Sequence, residues 1–139
     1  MSVGRICCRE VDLVSPQETV TEAAQRMGER GVGTLVVLDE GKRPLGLVTD
    51  RDLVVRVLAA GRDAGATPVG EIMTRAPKVV HEESAIEDAL ALMRAGSFRR
   101  LPVVDREGRL AGIVSVDDVL ALLAEEFAHI GGVIERRKT

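Results

Sequence analysis

Apolar positions in this chain follow the same succession of spacings twice. Val20, Ala23 and Met27 fall at i, i+3 and i+7, one face of a helix, and Ile86, Ala89 and Met93 repeat that spacing. Two short runs rich in β-branched residues follow each helix, Thr34 to Leu38 and Leu45 to Thr49, then Arg100 to Val104 and Leu110 to Ser115. Asp39 with Gly41, and Asp105 with Gly108, sit between the paired runs, so each pair reads as a β-hairpin. A second helix is predicted from Arg51 to Ala60, closed by Gly61, and another from Asp117 to Phe127. Short extended pieces at Asp12 to Val14 and Lys78 to Val80 precede the first helix of each copy. Thr19 with Glu22, and Ser84 with Glu87, have capping-box spacing at the starts of those helices.

Sliding the chain by 66 positions superposes the two successions without a gap. Val3, Gly4, Ile6 and Arg9 fall on Val69, Gly70, Ile72 and Arg75, and Leu35, Val37, Asp39, Gly46, Val48 and Asp52 fall on Leu101, Val103, Asp105, Gly112, Val114 and Asp118. This is a tandem duplication of one βαββα unit. The expected boundaries are a first repeat over 3–60, a linker over 61–68, a second repeat over 69–127 and a C-terminal tail over 128–139, frayed or prolonging the last helix. Three short strands and two helices cannot cover both faces of a sheet, so the halves are expected to pack sheet to sheet about a pseudo-two-fold axis, an α+β (mixed α/β) fold. Clefts between such halves come in equivalent pairs and are the places where ligands prefer to bind.

Composition narrows the function. Phe98 and Phe127 are the only aromatics and the net charge is −3, so base-stacking platforms and a phosphate-neutralising basic block are both missing. Nucleic acid is not an expected partner. No run approaches the ~20 apolar residues of a membrane span, and no signal peptide opens the chain, so a cytoplasmic protein without a membrane partner is expected. Cys7 and Cys8 are adjacent, which argues against a disulfide framework and for packing in the turn aligned with Met73 and Thr74. With two histidines and no Cys/His cluster, neither a zinc site nor any other metal site is expected. His81 and His129 have no evident acid or nucleophile partner and no Gly-rich phosphate loop occurs, so the chain is not expected to be an enzyme.

The candidate chemistry lies at two equivalent strand-to-helix junctions. Thr49, Asp50, Arg51, Asp52 and Ser115, Val116, Asp117, Asp118 each set a hydroxyl three residues before an aspartate. That spacing serves helix capping equally well as it serves a carboxylate holding ribose hydroxyls beside a phosphate-facing helix start. Arg99 and Arg100 enter a mostly apolar strand, where a solvated strand end and a phosphate anchor are both open readings. The first copy has Gly33 and Thr34 at those positions.

At these residues the chain resembles the CBS-domain pair, or Bateman module. The runs that carry the resemblance are Arg100, Leu101, Pro102, Val103, Val104, Asp105; Gly46, Leu47, Val48, Thr49, Asp50, Arg51, Asp52, Leu53; Gly112, Ile113, Val114, Ser115 with Asp118; and Glu71, Ile72, Met73, Thr74. The resemblance implies two CBS repeats forming a regulatory module that binds AMP, ADP or ATP, or else S-adenosylmethionine or NAD, with no required cofactor, and signals to a regulated protein. It implies that Asp52 and Asp118 hold ribose, that Thr49, Arg51, Ser115, Arg99 and Arg100 face phosphates, with the two arginines open to either cleft, and that Val14, Val80, Ala76, Leu101 and Pro102 wall the adenine. It further implies a homodimer. With the arginine pair in the second copy and Val36 standing where the family often has proline, the second copy's site is expected to be the better one. A dimerisation or interaction module with vestigial clefts is the alternative.

Overall fold

The computed structural model describes residues 1–138. Two three-stranded sheets form, each from one hairpin and a third short strand. In the first half, α1 (Val20–Arg30) precedes β1 (Thr34–Leu38) and β2 (Pro44–Thr49), and α2 (Asp50–Leu53) continues as one wider π turn over Val54–Leu58. In the second, β3 (Thr74–Arg75) and β4 (Val80–His81) lead to α3 (Ile86–Gly96), β5 (Arg100–Val104), β6 (Leu110–Ser115) and α4 (Val116–Lys138).

Local chemistry accounts for most element ends. The Thr19 side chain accepts a hydrogen bond from the Glu22 amide and starts α1, whereas α3 is preceded by Ala85 with no side-chain cap, so the expected Ser84–Glu87 box does not form. Gly31 and Ser97 close α1 and α3 in the left-handed conformation at φ 66° and 56°. The left-handed residue of the first hairpin is Lys42, aligned with Gly108, rather than Gly41. Helix α4 does not stop near Phe127 but runs through Gly131 and Gly132 to Lys138.

The third strand shows how the halves are joined. β3, which follows the linker, pairs antiparallel with β2 of the first half, Leu47 opposite Thr74. Cys8, 66 positions before Thr74, makes the equivalent bridge to Ile113 in the second half. Pro68 bridges Thr19 and Ser2 bridges Ala85, again as an equivalent pair. Each repeat therefore lends its leading segment to the other repeat's sheet. The cores follow the same exchange: Val69, Ile72 and Met73 pack with Leu35, Val37, Val48 and Val57, while Val3, Ile6 and Cys7 pack with Leu101, Val103 and Val114.

Val36 and Pro102 lie on the other face of their strands, by the two-residue alternation, and are also buried, where the two sheets meet. The hairpin ends are tied across this junction: the Leu110 amide donates to the Lys42 carbonyl at 2.9 Å, and Arg43 Nε donates to the Glu107 carbonyl at 3.0 Å. Among the described residues no helix is long and apolar enough to cross a membrane.

Candidate functional site

At both strand-to-helix junctions the same reciprocal cap forms. Thr49 Oγ1 accepts from the Asp52 amide at 3.2 Å while Asp52 Oδ2 accepts from the Thr49 amide at 2.9 Å. Ser115 Oγ accepts from Asp118 at 3.2 Å and Asp118 Oδ2 accepts from Ser115 at 2.8 Å. Each pair thus satisfies orphan amides at a helix start. Each carboxylate retains its Oδ1. In the first half Arg56 Nε lies 3.7 Å from Asp52 Oδ1, and Arg56 Nη1 donates to the Ile72 carbonyl at 2.8 Å, so this arginine orients the carboxylate from the π turn. Leu122 takes the place of Arg56 in the second half.

Two clefts between the halves are related by the 66-residue offset, and they differ. The larger, about 730 Å³, is bounded by Thr49, Asp50, Arg51 and Asp52 of the first repeat and by Ser97, Phe98, Arg99, Arg100 and Leu101 of the second, with Leu47, Thr74, Ala76, Pro77 and Lys78 on its walls. The smaller, about 240 Å³, is bounded by Cys8, Glu10, Val11, Asp12, Val32, Gly33, Thr34, Arg100 and Ile113. Every one of these smaller-cleft residues is the counterpart of a residue lining the larger cleft. Small-molecule sites occupy about 300–1,000 Å³, so the first cleft has the room for one and the second falls short.

Charge separates the clefts in the same sense. The larger has four cations, Arg51, Lys78, Arg99 and Arg100, against the carboxylates of Asp50 and Asp52. The smaller has Arg100 against Glu10 and Asp12, and Asp12 is already engaged by Arg30 at 2.7 Å. Arg99 approaches Asp117 at 3.9 Å but keeps 73% of its side chain exposed, a pairing too loose to neutralise it. Ala76, at φ 47°, and Ser97 both hold left-handed backbone on the wall of the larger cleft, a conformation that L side chains adopt at a cost and that clusters at binding sites.

The expectation that the arginine pair strengthens the second copy's site is therefore corrected. Residues 99 and 100 face across the interface, into the cleft of Thr49 and Asp52, because the larger cleft takes its cap from the first repeat and its strand start from the second, and Arg100 borders the smaller cleft as well. Thr49, Arg51, Asp52, Ala76, Arg99, Arg100 and Leu101 are brought together there. Ser115 and Asp118 line neither cleft. Val14 and Val80 are core residues of their own halves and Pro102 is fully buried, so these three do not reach the larger cleft's wall. Lys78, Leu47 and Phe98, not singled out from sequence, do line it, and Phe98 presents its ring 40% exposed. The counterpart relation would have shown them only after the exchange between repeats was known.

Cys7 packs at the edge of the second core, where burial, partly offset by Arg9, pushes its thiol above the ordinary value and disfavours the reactive thiolate. No group of three or more His, Cys, Asp or Glu side chains among the described residues is placed to hold a metal ion.

The fold is shared with known proteins. The CBS-domain family model matches residues 3–59 and 69–125. An uncharacterised protein of Methanopyrus kandleri is 38% identical over 86% of this chain, which spans only 61% of that relative's length. The CBS domain-containing protein YhcV of Bacillus subtilis is 41% identical over 85% of this chain and 82% of its own. Among solved structures, Hypoxic Response Protein I with two coordinated zinc ions superposes at a TM-score of 0.79 and 34% identity, covering 87% of this chain and 98% of that one. CBSX2 of Arabidopsis thaliana in complex with AMP gives 0.77 and 31%, covering 89% and 96%. The CBS pair of protein MJ0100 in complex with 5'-methylthioadenosine and S-adenosylmethionine gives 0.78 and 25%, covering 88% and 99%.

Proposed function

The chain belongs to the CBS-domain family, and from that premise we propose that it is a non-catalytic, cytoplasmic regulatory module that binds one adenine nucleotide per chain, AMP foremost and ADP or ATP by the same contacts, and signals energy or metabolite state to a partner protein. The observation that carries this reading is the larger cleft, where an oriented carboxylate and four cations share about 730 Å³. Asp52 Oδ1 takes the ribose hydroxyls, Thr49 and the start of α2 lie beside the phosphates, and Arg51, Lys78, Arg99 and Arg100 supply the countercharge. Leu47, Ala76, Pro77, Phe98 and Leu101 supply the apolar wall for the base.

The charge balance also ranks ligands. S-adenosylmethionine carries a sulfonium cation and no phosphate, so this cleft disfavours it relative to a nucleotide. AMP bound to CBSX2, whose fold this chain shares, supports the same choice. A homodimer is part of the proposal, in keeping with the apolar residues exposed on α4.

Isothermal titration of nucleotide-stripped protein with AMP, ADP, ATP, S-adenosylmethionine and NAD tests the reading. Saturation at one nucleotide per chain is expected. Asp52→Ala should lower affinity about tenfold or more, since a hydrogen bond to a charged group contributes about 1.5–3 kcal/mol, while Asp118→Ala leaves it unchanged. Loss on Asp118→Ala with a silent Asp52→Ala would overturn the assignment, and no binding by any of the five would return the molecule to an interaction module with vestigial clefts.

A further inference from the structure

The last helix carries a surface that the rest of the chain does not use. The family match ends at residue 125, yet α4 continues to Lys138. Val119 is buried and Leu122 half-buried against the second half, but every residue from Leu123 to Arg137 is exposed. An isolated helix of that length is marginal in water even without glycine, and Gly131 and Gly132 each cost about 1 kcal/mol relative to alanine. A covering surface is therefore required for this stretch to persist.

The exposed apolar residues say what that surface is. Leu120, Leu123, Phe127, Ile130 and Ile134 recur at intervals of three, four, three and four, the seam of a two-helix coiled coil, and are 46–71% exposed. Charge sets the direction. The first half of α4 carries Asp117, Asp118, Glu125 and Glu126 with no cation, and its end carries Arg136, Arg137 and Lys138 against Glu135. Parallel pairing of two copies would set acid on acid and base on base. Antiparallel pairing sets each basic end against the partner's acidic start and opposes the helix dipoles favourably. One register then sets Phe127 against the partner's Ile130 and Leu123 against the partner's Ile134, and lays Leu120 at each end under the aliphatic stem of the partner's Arg137. Ala124, Ala128 and Gly131 flank this seam and let the backbones approach closely.

We propose that residues 120–137 of α4 form an antiparallel coiled-coil seam with the same helix of a second copy of this chain. The inference rests on the homodimer reading and gives it a place and a direction. Sedimentation of the full chain should give twice the 14.9 kDa mass, and Ile130→Asp, an exposed position, should give a folded monomer. A monomeric parent chain would overturn both the dimer and the seam, whereas an Ile130→Asp protein that stays dimeric would overturn the seam alone. Direction is read by cysteine pairing on a Cys7→Ala, Cys8→Ser background. Mixing Phe127→Cys with Ile130→Cys chains should yield a covalent dimer that neither yields alone, and a covalent dimer from Ile130→Cys alone would overturn the antiparallel register.

Discussion

Asp52 and Asp118 are the same residue type in the same cap, with amide contacts of 2.9 and 2.8 Å, and differ only in what faces their remaining oxygen. Their alanine variants should each lose about 1 kcal/mol of stability without ligand, the value of half a reciprocal cap, and thermal melts should show the two losses alike. Under the proposed function, only Asp52→Ala should also lose stabilisation by added AMP. The cap was legible in sequence because it is local, three residues apart. The neighbours it meets in the larger cleft, Arg99 and Arg100, lie about fifty residues away, and spacing along the chain does not say which cap they face. Elsewhere, the Arg26 guanidinium bonded to Glu18 holds that carboxyl below its ordinary value of 4.5. A depressed carboxyl stabilises the fold above its unfolded pKa and loses that contribution as pH falls through the folded one. Urea midpoints should therefore fall less steeply below pH 4.5 in Glu18→Gln than in the parent, and equal slopes would deny the pair any role in acid stability.

α1 and α3 are equivalent helices closed differently, by Gly31 and by Ser97, both left-handed. A non-glycine residue there bears a steric cost of about 1–2 kcal/mol, partly offset because glycine loses more freedom on folding. Ser97→Gly should raise stability by about 0.5–1 kcal/mol, seen as a melting temperature a few degrees higher, and a lower one would mean that the Ser97 side chain contributes more than its backbone costs. Periodicity located both helices and both hairpins because apolar residues repeat every 3.6 or every two positions. It leaves α4 past Phe127 open between fraying and prolongation, since Gly131 and Gly132 interrupt the pattern and the seam from Leu120 to Ile134 faces no residue of the same fold.

Across the whole molecule the offset of 66 residues revealed the duplication but not the exchange of leading segments, because superposing two copies says nothing of which sheet a leader joins. Val3 and Val69 are both fully buried, each with the core of the repeat it does not precede in sequence. Val3→Ala and Val69→Ala should each cost about 1.5–3 kcal/mol, and either should shift one shared unfolding transition rather than detach a half. Two separable transitions by calorimetry would show that the halves fold independently despite the exchange.

The exchange also bears on how such a molecule could arise. A polypeptide of one unit would project a leader with no sheet to join and leave its own sheet an edge short, so it would be complete only when two such polypeptides traded leaders. Gene duplication would turn that reciprocal trade into an internal one, with the linker over residues 61–68 as the covalent join. Freed from strict symmetry, the copies could then diverge at position 99 or 100 in one unit and so recharge the pocket of the other, leaving a molecule with one roomy, cationic berth and one cramped one.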